Sequence, residues 1–147
     1  MTKEQLAQAG ALLYVCEGAK LRKDPRYKNT YIYAIDFTNS NPRVIALFMR
    51  FVREVLELEE ERVKGQLFIY PDHNEGELVE YWSNVSKIPK VRFQKVIKLK
   101  QKNSRYSPNK LGTFKVRYTG KEKFLKMQEI IEQTWRDGRV VECATLE

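Results

Sequence analysis

The spacing of hydrophobic and polar residues predicts four helices along the chain. Between residues 6 and 16 almost every position is apolar or small, which is typical of a helix buried on more than one side. Thr2 and Gln5 have the capping-box pattern at the start of this helix, and Gly18 follows its end. Three amphipathic patterns with a period of 3.6 residues predict further helices over 42–58, 75–86 and 121–136.

Alternating patterns predict the strands, over 31–38, 62–70, 92–101 and 113–118. In the last two strands, one side is basic and the other is apolar. Lys98, Lys100 and Lys102 share one side, with Ile97 and Leu99 on the other. Lys115 and Arg117 likewise oppose Phe114, Val116 and Tyr118. We therefore expect an α+β fold, with helices packed on one face of a mixed or antiparallel sheet and lysines on the other.

Length and composition set the organisation of the chain. Its 147 residues, 42% of them hydrophobic, predict a single domain over 1–138 and a C-terminal tail over 139–147. No apolar run approaches the ~20 residues of a membrane span, and the N-terminus lacks a signal-peptide pattern, so we expect a cytoplasmic protein that does not contact a membrane. The single histidine, His73, excludes zinc sites built on histidine pairs.

The positive charge is concentrated in one part of the chain. Residues 87–126 contain fourteen Lys or Arg residues and one acid, whereas the remainder contains thirteen basic and eighteen acidic residues. This asymmetry favours a polyanionic partner, and nucleic acid is the first candidate; a merely solvated basic face is the alternative. The candidate nucleic-acid-binding residues are Lys95, Lys98, Lys100, Lys102, Lys115 and Arg117.

The expected basic sheet favours double-stranded DNA over a single strand. An exposed β-face that carries Lys, Arg, Gln and Thr can lie in a DNA major groove. A single-strand binder would instead present aromatic residues for base stacking, and the aromatic residues of these strands fall on the apolar side.

The first helix carries a face of small residues that predicts a close packing partner. Ala7, Gly10, Ala11 and Tyr14 fall on this face at helical spacing. Small residues allow two backbones to approach closely, and a second copy of the same helix would serve. We therefore predict a homodimer with these four residues at its interface.

The end of the first helix resembles the signature motif of the LAGLIDADG homing endonuclease family. In Gly10-Ala11-Leu12-Leu13-Tyr14-Val15-Cys16-Glu17-Gly18, four residues agree with the motif: Ala11, Leu13, Glu17 and Gly18. Glutamate replaces the commoner aspartate. The segment 37–42, followed by a helix, resembles the junction between strand and second helix in such domains. A helix containing Tyr81-Trp82 that ends before a basic strand adds to the resemblance, which covers roughly residues 5–135.

The resemblance implies both a fold and an activity. It implies a saddle-shaped sheet that straddles DNA, and a homodimer in which two such helices pack along a two-fold axis. It also implies metal-dependent hydrolysis of a DNA phosphodiester, with Glu17 as the ligand of Mg²⁺ or Mn²⁺. Glu17 and Lys98 are the candidate catalytic residues, although phosphate contact is the commoner role for such a lysine. The predicted helix over 75–86 departs from the family pattern because it interrupts the second pair of strands.

Two alternatives remain open at this stage. The chain could be a catalytically inactive DNA-binding or regulatory protein of the same fold, because a lone carboxylate binds Mg²⁺ poorly. It could also be an RNA-binding module, in which basic strands contact a folded RNA by its shape and 2′-hydroxyl groups.

Overall fold

Local capping interactions determine where the helices begin. The structure, a computed structural model, describes residues 1–27, 30–100 and 110–136. Helix α1 (Lys3–Glu17) begins with the predicted capping box: the Thr2 Oγ1 accepts from the Gln5 backbone N at 3.1 Å, and the Gln5 Oε1 accepts from the Thr2 backbone N at 2.9 Å. Helix α2 (Pro42–Glu54) is capped by the Asn41 side chain, which accepts from the Arg43 backbone N at 2.9 Å.

Two further helices follow the predicted patterns. They are α3 (Glu75–Ser86) and α4 (Lys121–Arg136), and their bounds agree with those expected from the sequence. Helix α2 ends four residues before the predicted end at 58, because the chain turns at Glu57, where φ is 53°. The predicted tail, 139–147, lies outside the described residues.

The strands form one main sheet and one small hairpin. The hairpin pairs β1 (Arg22–Lys23) with β2 (Tyr31–Ile32). The main sheet contains β3 (Ala34–Asn39), β4 (Lys64–Ile69), β5 (Ile97–Lys98) and β6 (Thr113–Thr119), in the order β3-β6-β4-β5. Strand β6 is antiparallel to both of its neighbours, and β5 runs parallel to β4. The predicted α+β fold with a mixed sheet is therefore confirmed.

The core lies between the helices and one face of this sheet. The rings of Phe37 on β3 and Phe48 on α2 stack with centroids 4.1 Å apart. Trp82 on α3 stacks on Phe114 of β6 at 5.2 Å, and its indole N–H donates to the Leu111 carbonyl at 2.7 Å. Because helices cover this face, alternate residues of the strands are buried, and the intervening residues lie on the other face.

Strand β5 is shorter than predicted, and its alternation is shifted by one residue. Gly65 pairs with Phe93, and Phe68 pairs with Ile97, both in parallel register. Between these two pairs, β4 advances by three residues, from Gly65 to Phe68, whereas the partner segment advances by four, from Phe93 to Ile97. The partner segment therefore contains one extra residue, as in a β-bulge. An extra residue exchanges the two faces of everything that follows. The prediction of one regular strand over 92–101 is therefore wrong within the described residues.

The small-residue face of α1 is filled by α2 of the same chain. A Cβ atom on Gly10 would lie 2.0 Å from the Phe51 ring, and the Tyr14 ring lies 6.1 Å from the Phe48 ring. Ala11 and Tyr14 are almost fully buried, and Ala7 packs against the core. The small residues do serve a close packing partner, but that partner is α2. Gly10, Ala11 and Tyr14 are therefore covered within the chain, whereas Ala7 is only partly buried, and the homodimer through α1 stays a prediction.

In the described ranges, no helix is both long enough and apolar enough to cross a membrane.

Candidate nucleic-acid interface

Side chains on the side of the main sheet opposite the helices form one surface, although Asp36 on β3 is itself buried. Directly paired residues of neighbouring strands point to the same side of a sheet, so the register identifies the members of this surface. Four rows result, and we call three of them together the open face; the fourth, Ala34–Thr119, is set apart because Ala34 is buried. The rows of the open face are Asp36–Arg117–Lys64, Thr38–Lys115–Gln66 and Thr113–Phe68–Ile97.

The open face is basic at its centre. Arg117 is partly neutralised by Asp36, whose Oδ2 lies 3.4 Å from the Arg117 Nη1. Within the described parts of the chain, no acidic side chain forms an ion pair with Lys64 or Lys115. The Lys115 ammonium instead lies 5.6 Å from the centre of the Phe68 ring, a cation–π distance. Two lysines therefore present uncompensated charge from the middle of the sheet.

Three of the four strands in the open face together span about the width of a DNA major groove. Strands β3 and β4 flank β6, and two strand spacings of ~4.8 Å place their axes about 10 Å apart. A DNA major groove is about 12 Å wide and admits a β-ribbon. Along β6, Lys115 and Arg117 are two residues apart, so their Cα atoms are separated by about 7 Å.

A shallow groove extends the open face at the end of β6. Its lining residues are Glu61, Arg62, Lys64, Gln94, Arg117 and Thr119. The Arg62 guanidinium lies 5.0 Å from the centre of the Tyr118 ring and donates to the Thr119 carbonyl oxygen. These contacts hold Arg62 at the rim of the open face, where its Nη1 also lies 3.4 Å from the Glu59 Oε2 in an ion pair.

The structure divides the predicted binding residues into separate groups. Lys115 and Arg117 lie together on the open face. Lys98 pairs with Ile69, whose side chain is buried on the helix-covered side, so Lys98 lies on that side at the edge of the sheet. Lys95 and Lys100 are exposed beside β5. Lys102, the sixth predicted residue, lies outside the described residues.

Several residues of the open face were not predicted from sequence, among them two long polar side chains on β4. Lys64 and Gln66 occupy β4, a predicted strand without predicted binding residues. The Gln66 side chain also donates to the Lys95 carbonyl at 2.9 Å, which ties β4 to the segment before β5. Apolar residues alternate with other residues in 64–69, and the polar positions of this pattern would have identified both residues.

Glu17 lies at the opposite edge of the sheet from Lys98. Gly18 forms a bridge with Phe37 on β3, so the end of α1 lies beside β3. Strands β6 and β4 separate β3 from β5, which is three strand spacings or about 14 Å. The structure therefore does not bring the two predicted catalytic residues together within one chain.

The surroundings of Glu17 do not form a metal site in a single chain. Its exposed carboxylate accepts a hydrogen bond from the Asn39 Nδ2, while the Asn39 Oδ1 accepts from the Asn41 backbone N at 2.7 Å. Asn39 thus presents a donor to Glu17, whereas Mg²⁺ requires oxygen ligands. Among the described residues, no group of three or more His, Cys, Asp or Glu side chains could hold a metal ion. A single carboxylate does not fit the expected Mg²⁺ or Mn²⁺ site.

Comparisons with known proteins place no further constraint on function. No protein-family model, no curated protein and no solved structure matches this chain.

Proposed function

We propose that this protein binds double-stranded DNA through the open face of its main sheet. The observation that carries the proposal is the row arrangement of Lys64, Lys115 and Arg117, on a sheet whose opposite face is occupied by helices. Lysine and arginine side chains on a flat surface of this width can contact the phosphates that border a major groove. Gln66 and Thr38 lie between them and can form hydrogen bonds to base edges.

The aromatic residues of the sheet support a duplex rather than a single strand as the ligand. Phe114 and Tyr118 are almost fully buried on the helix-covered side, so they offer no stacking platform. Phe68 is the one aromatic residue of the described open face, and Lys115 lies over its ring.

A salt titration of a triple variant tests this function. Counterion release gives log K a slope of about −0.9 against log salt for each phosphate contact. We expect Lys64→Ala/Lys115→Ala/Arg117→Ala to flatten the slope for a 24-bp duplex by about 2 to 3 and to weaken binding on the order of 100-fold near 0.15 M salt. Fluorescence anisotropy measures both quantities.

The matched control removes the same charge from the helical side. Lys3, Arg50 and Arg136 are exposed on α1, α2 and α4, and their replacement by Ala should leave most of the affinity. Equal losses in the two triple variants would contradict the proposal. Tighter binding of the wild type to a structured RNA or a single strand of equal length would favour the corresponding alternative.

DNA cleavage is a separate hypothesis, and it stays a prediction. It rests on the resemblance of the Glu17 motif, and one chain supplies only one carboxylate there. If cleavage does occur with Mg²⁺ or Mn²⁺, we expect Glu17→Gln to abolish it and to leave duplex affinity within about twofold, because Glu17 is not part of the open face. A wild type that binds duplexes and cuts none of a randomised pool would support the non-catalytic DNA-binding alternative.

A further inference from the structure

We propose that Phe68 and Ile97 recognise the 5-methyl groups of thymines in the major groove. This inference rests on the proposed DNA-binding function and specifies which base the open face distinguishes. Its structural basis is the extra residue between Phe93 and Ile97, which puts Ile97 on the open face and Lys98 on the helix-covered side.

The register locates the two apolar side chains side by side. Phe68 pairs with Thr113 on one side and with Ile97 on the other, so all three lie in one row of the open face. Neighbouring strands are ~4.8 Å apart, which makes Phe68 and Ile97 direct neighbours. The next residue, Lys98, is paired with Ile69 and leaves the open face.

These side chains are accessible, although they are apolar. Ile97 is 38% exposed, and Phe68 is partly exposed beneath the Lys115 ammonium. An exposed apolar pair bordered by basic residues can contact an apolar group of a polyanionic partner, because the basic residues attract the partner's charge. The thymine methyl is the one apolar group that the major groove of unmodified DNA presents, and apolar side chains contact it in known modes of base recognition.

The charge around the pair supports DNA rather than an apolar protein surface as the occupant. The Lys115 ammonium lies 5.6 Å from the centre of the Phe68 ring, and the exposed Lys95 lies two residues before Ile97. An apolar protein partner would have to bury these ammonium groups, which is costly without acidic partners. A phosphate backbone on either side of the groove would instead neutralise them.

Replacement of thymine by uracil tests the inference directly. A 24-bp duplex library with a randomised centre is enriched on the wild-type protein, and the enriched duplex is resynthesised with deoxyuridine at one thymine position at a time. Uracil keeps every hydrogen-bonding group of thymine and lacks only the methyl group. We expect about a fourfold loss of affinity at one or two positions, the effect of one buried methyl group.

Variants assign the effect to the apolar pair. Ile97→Ser and Phe68→Ser should each reduce the thymine-to-uracil ratio towards one. Val91 is a matched control because it is an exposed β-branched residue, 90% accessible, in the turn at Lys90–Arg92, and Val91→Ser should preserve the ratio.

The outcomes separate this inference from the proposed function. If the wild type binds the duplex with a steep salt dependence but tolerates uracil at every position, the methyl contact is refuted and DNA binding stands. A ratio unchanged by both Ile97→Ser and Phe68→Ser would refute the assignment to these residues. If the wild type binds no duplex, the proposed function fails, and the inference fails with it.

Discussion

The two faces of the main sheet differ in what their residues do, although they alternate along the same strands. On β6, the helix-covered residues Phe114, Val116 and Tyr118 are at most 1% exposed, whereas the intervening Lys115 and Arg117 remain partly accessible. The covered face contacts helices of the same chain and contributes to folding. The open face carries long basic side chains above a layer that is already packed. Substitutions of neighbouring residues on one strand should therefore affect either folding or DNA binding, according to the face on which each residue lies.

A substitution in the helical layer that packs on the covered face should affect stability most. Trp82 is fully buried, stacks on Phe114 and donates its indole N–H. We expect Trp82→Ala to lower the free energy of unfolding by about 3–5 kcal/mol, as large-to-small core changes do. Urea denaturation monitored by circular dichroism measures this value.

The corresponding change on the open face provides the contrast. Lys115→Ala should alter stability by no more than about 0.5 kcal/mol, because it removes no packed apolar group. A loss from Lys115→Ala as large as that from Trp82→Ala would remove the distinction between the two faces.

Charged residues on the helix-covered side should act in folding and not in binding. Glu60 accepts hydrogen bonds from Arg53 at 2.6 Å and from Arg92 at 2.8 Å, and Arg53 also donates to the Ser86 carbonyl at the end of α3. Burial alone would raise the pKa of the Glu60 carboxyl, but the two arginines outweigh it and hold this pKa below its usual value of 4.5.

This lowered pKa predicts a pH-dependent contribution to stability. Because the folded pKa of Glu60 lies below the unfolded one, its stabilisation is present above pH 4.5 and is lost as pH falls through the folded pKa. We expect Glu60→Gln to lower the free energy of unfolding by about 1 kcal/mol at pH 7. The effect is this small because the side chain is half exposed and solvent screens its ion pairs. Thermal unfolding should show a smaller stability difference between the wild type and Glu60→Gln at about pH 3 than at pH 7. The duplex affinity of Glu60→Gln at pH 7 should equal that of the wild type. A constant difference at both pH values would contradict the assigned role.

Most of the fold could be predicted from sequence, because helix caps and strand alternation depend on residues that are close together in the chain. The capping box at Thr2 involves contacts within a few positions, so the sequence alone identifies it. The faces of β6 were also predicted correctly, since this strand is regular and the burial of Phe114 and Val116 follows from simple alternation.

Two features could not be predicted from sequence, because they depend on contacts between residues that are far apart in the chain. The extra residue before Ile97 depends on how Gly65 and Phe68 of a distant strand pair with it, and no local pattern in 92–101 reveals this. The small face around Gly10 correctly predicted a close packing partner, but a small face does not specify which helix packs against it. The ring of Phe51, on the second helix, occupies that position.

The most direct test of the open face compares two lysines that are both predicted from sequence to bind nucleic acid. Lys115 lies at the centre of the open face, and Lys98 lies at the sheet edge on the helix-covered side. Lys115→Ala and Lys98→Ala remove the same charge, so long-range attraction to DNA falls equally. We predict that Lys115→Ala weakens duplex binding about tenfold and flattens the log K–log salt slope by about 0.9, while Lys98→Ala changes affinity no more than about twofold. Equal effects, or a larger effect of Lys98→Ala, would contradict binding through the open face.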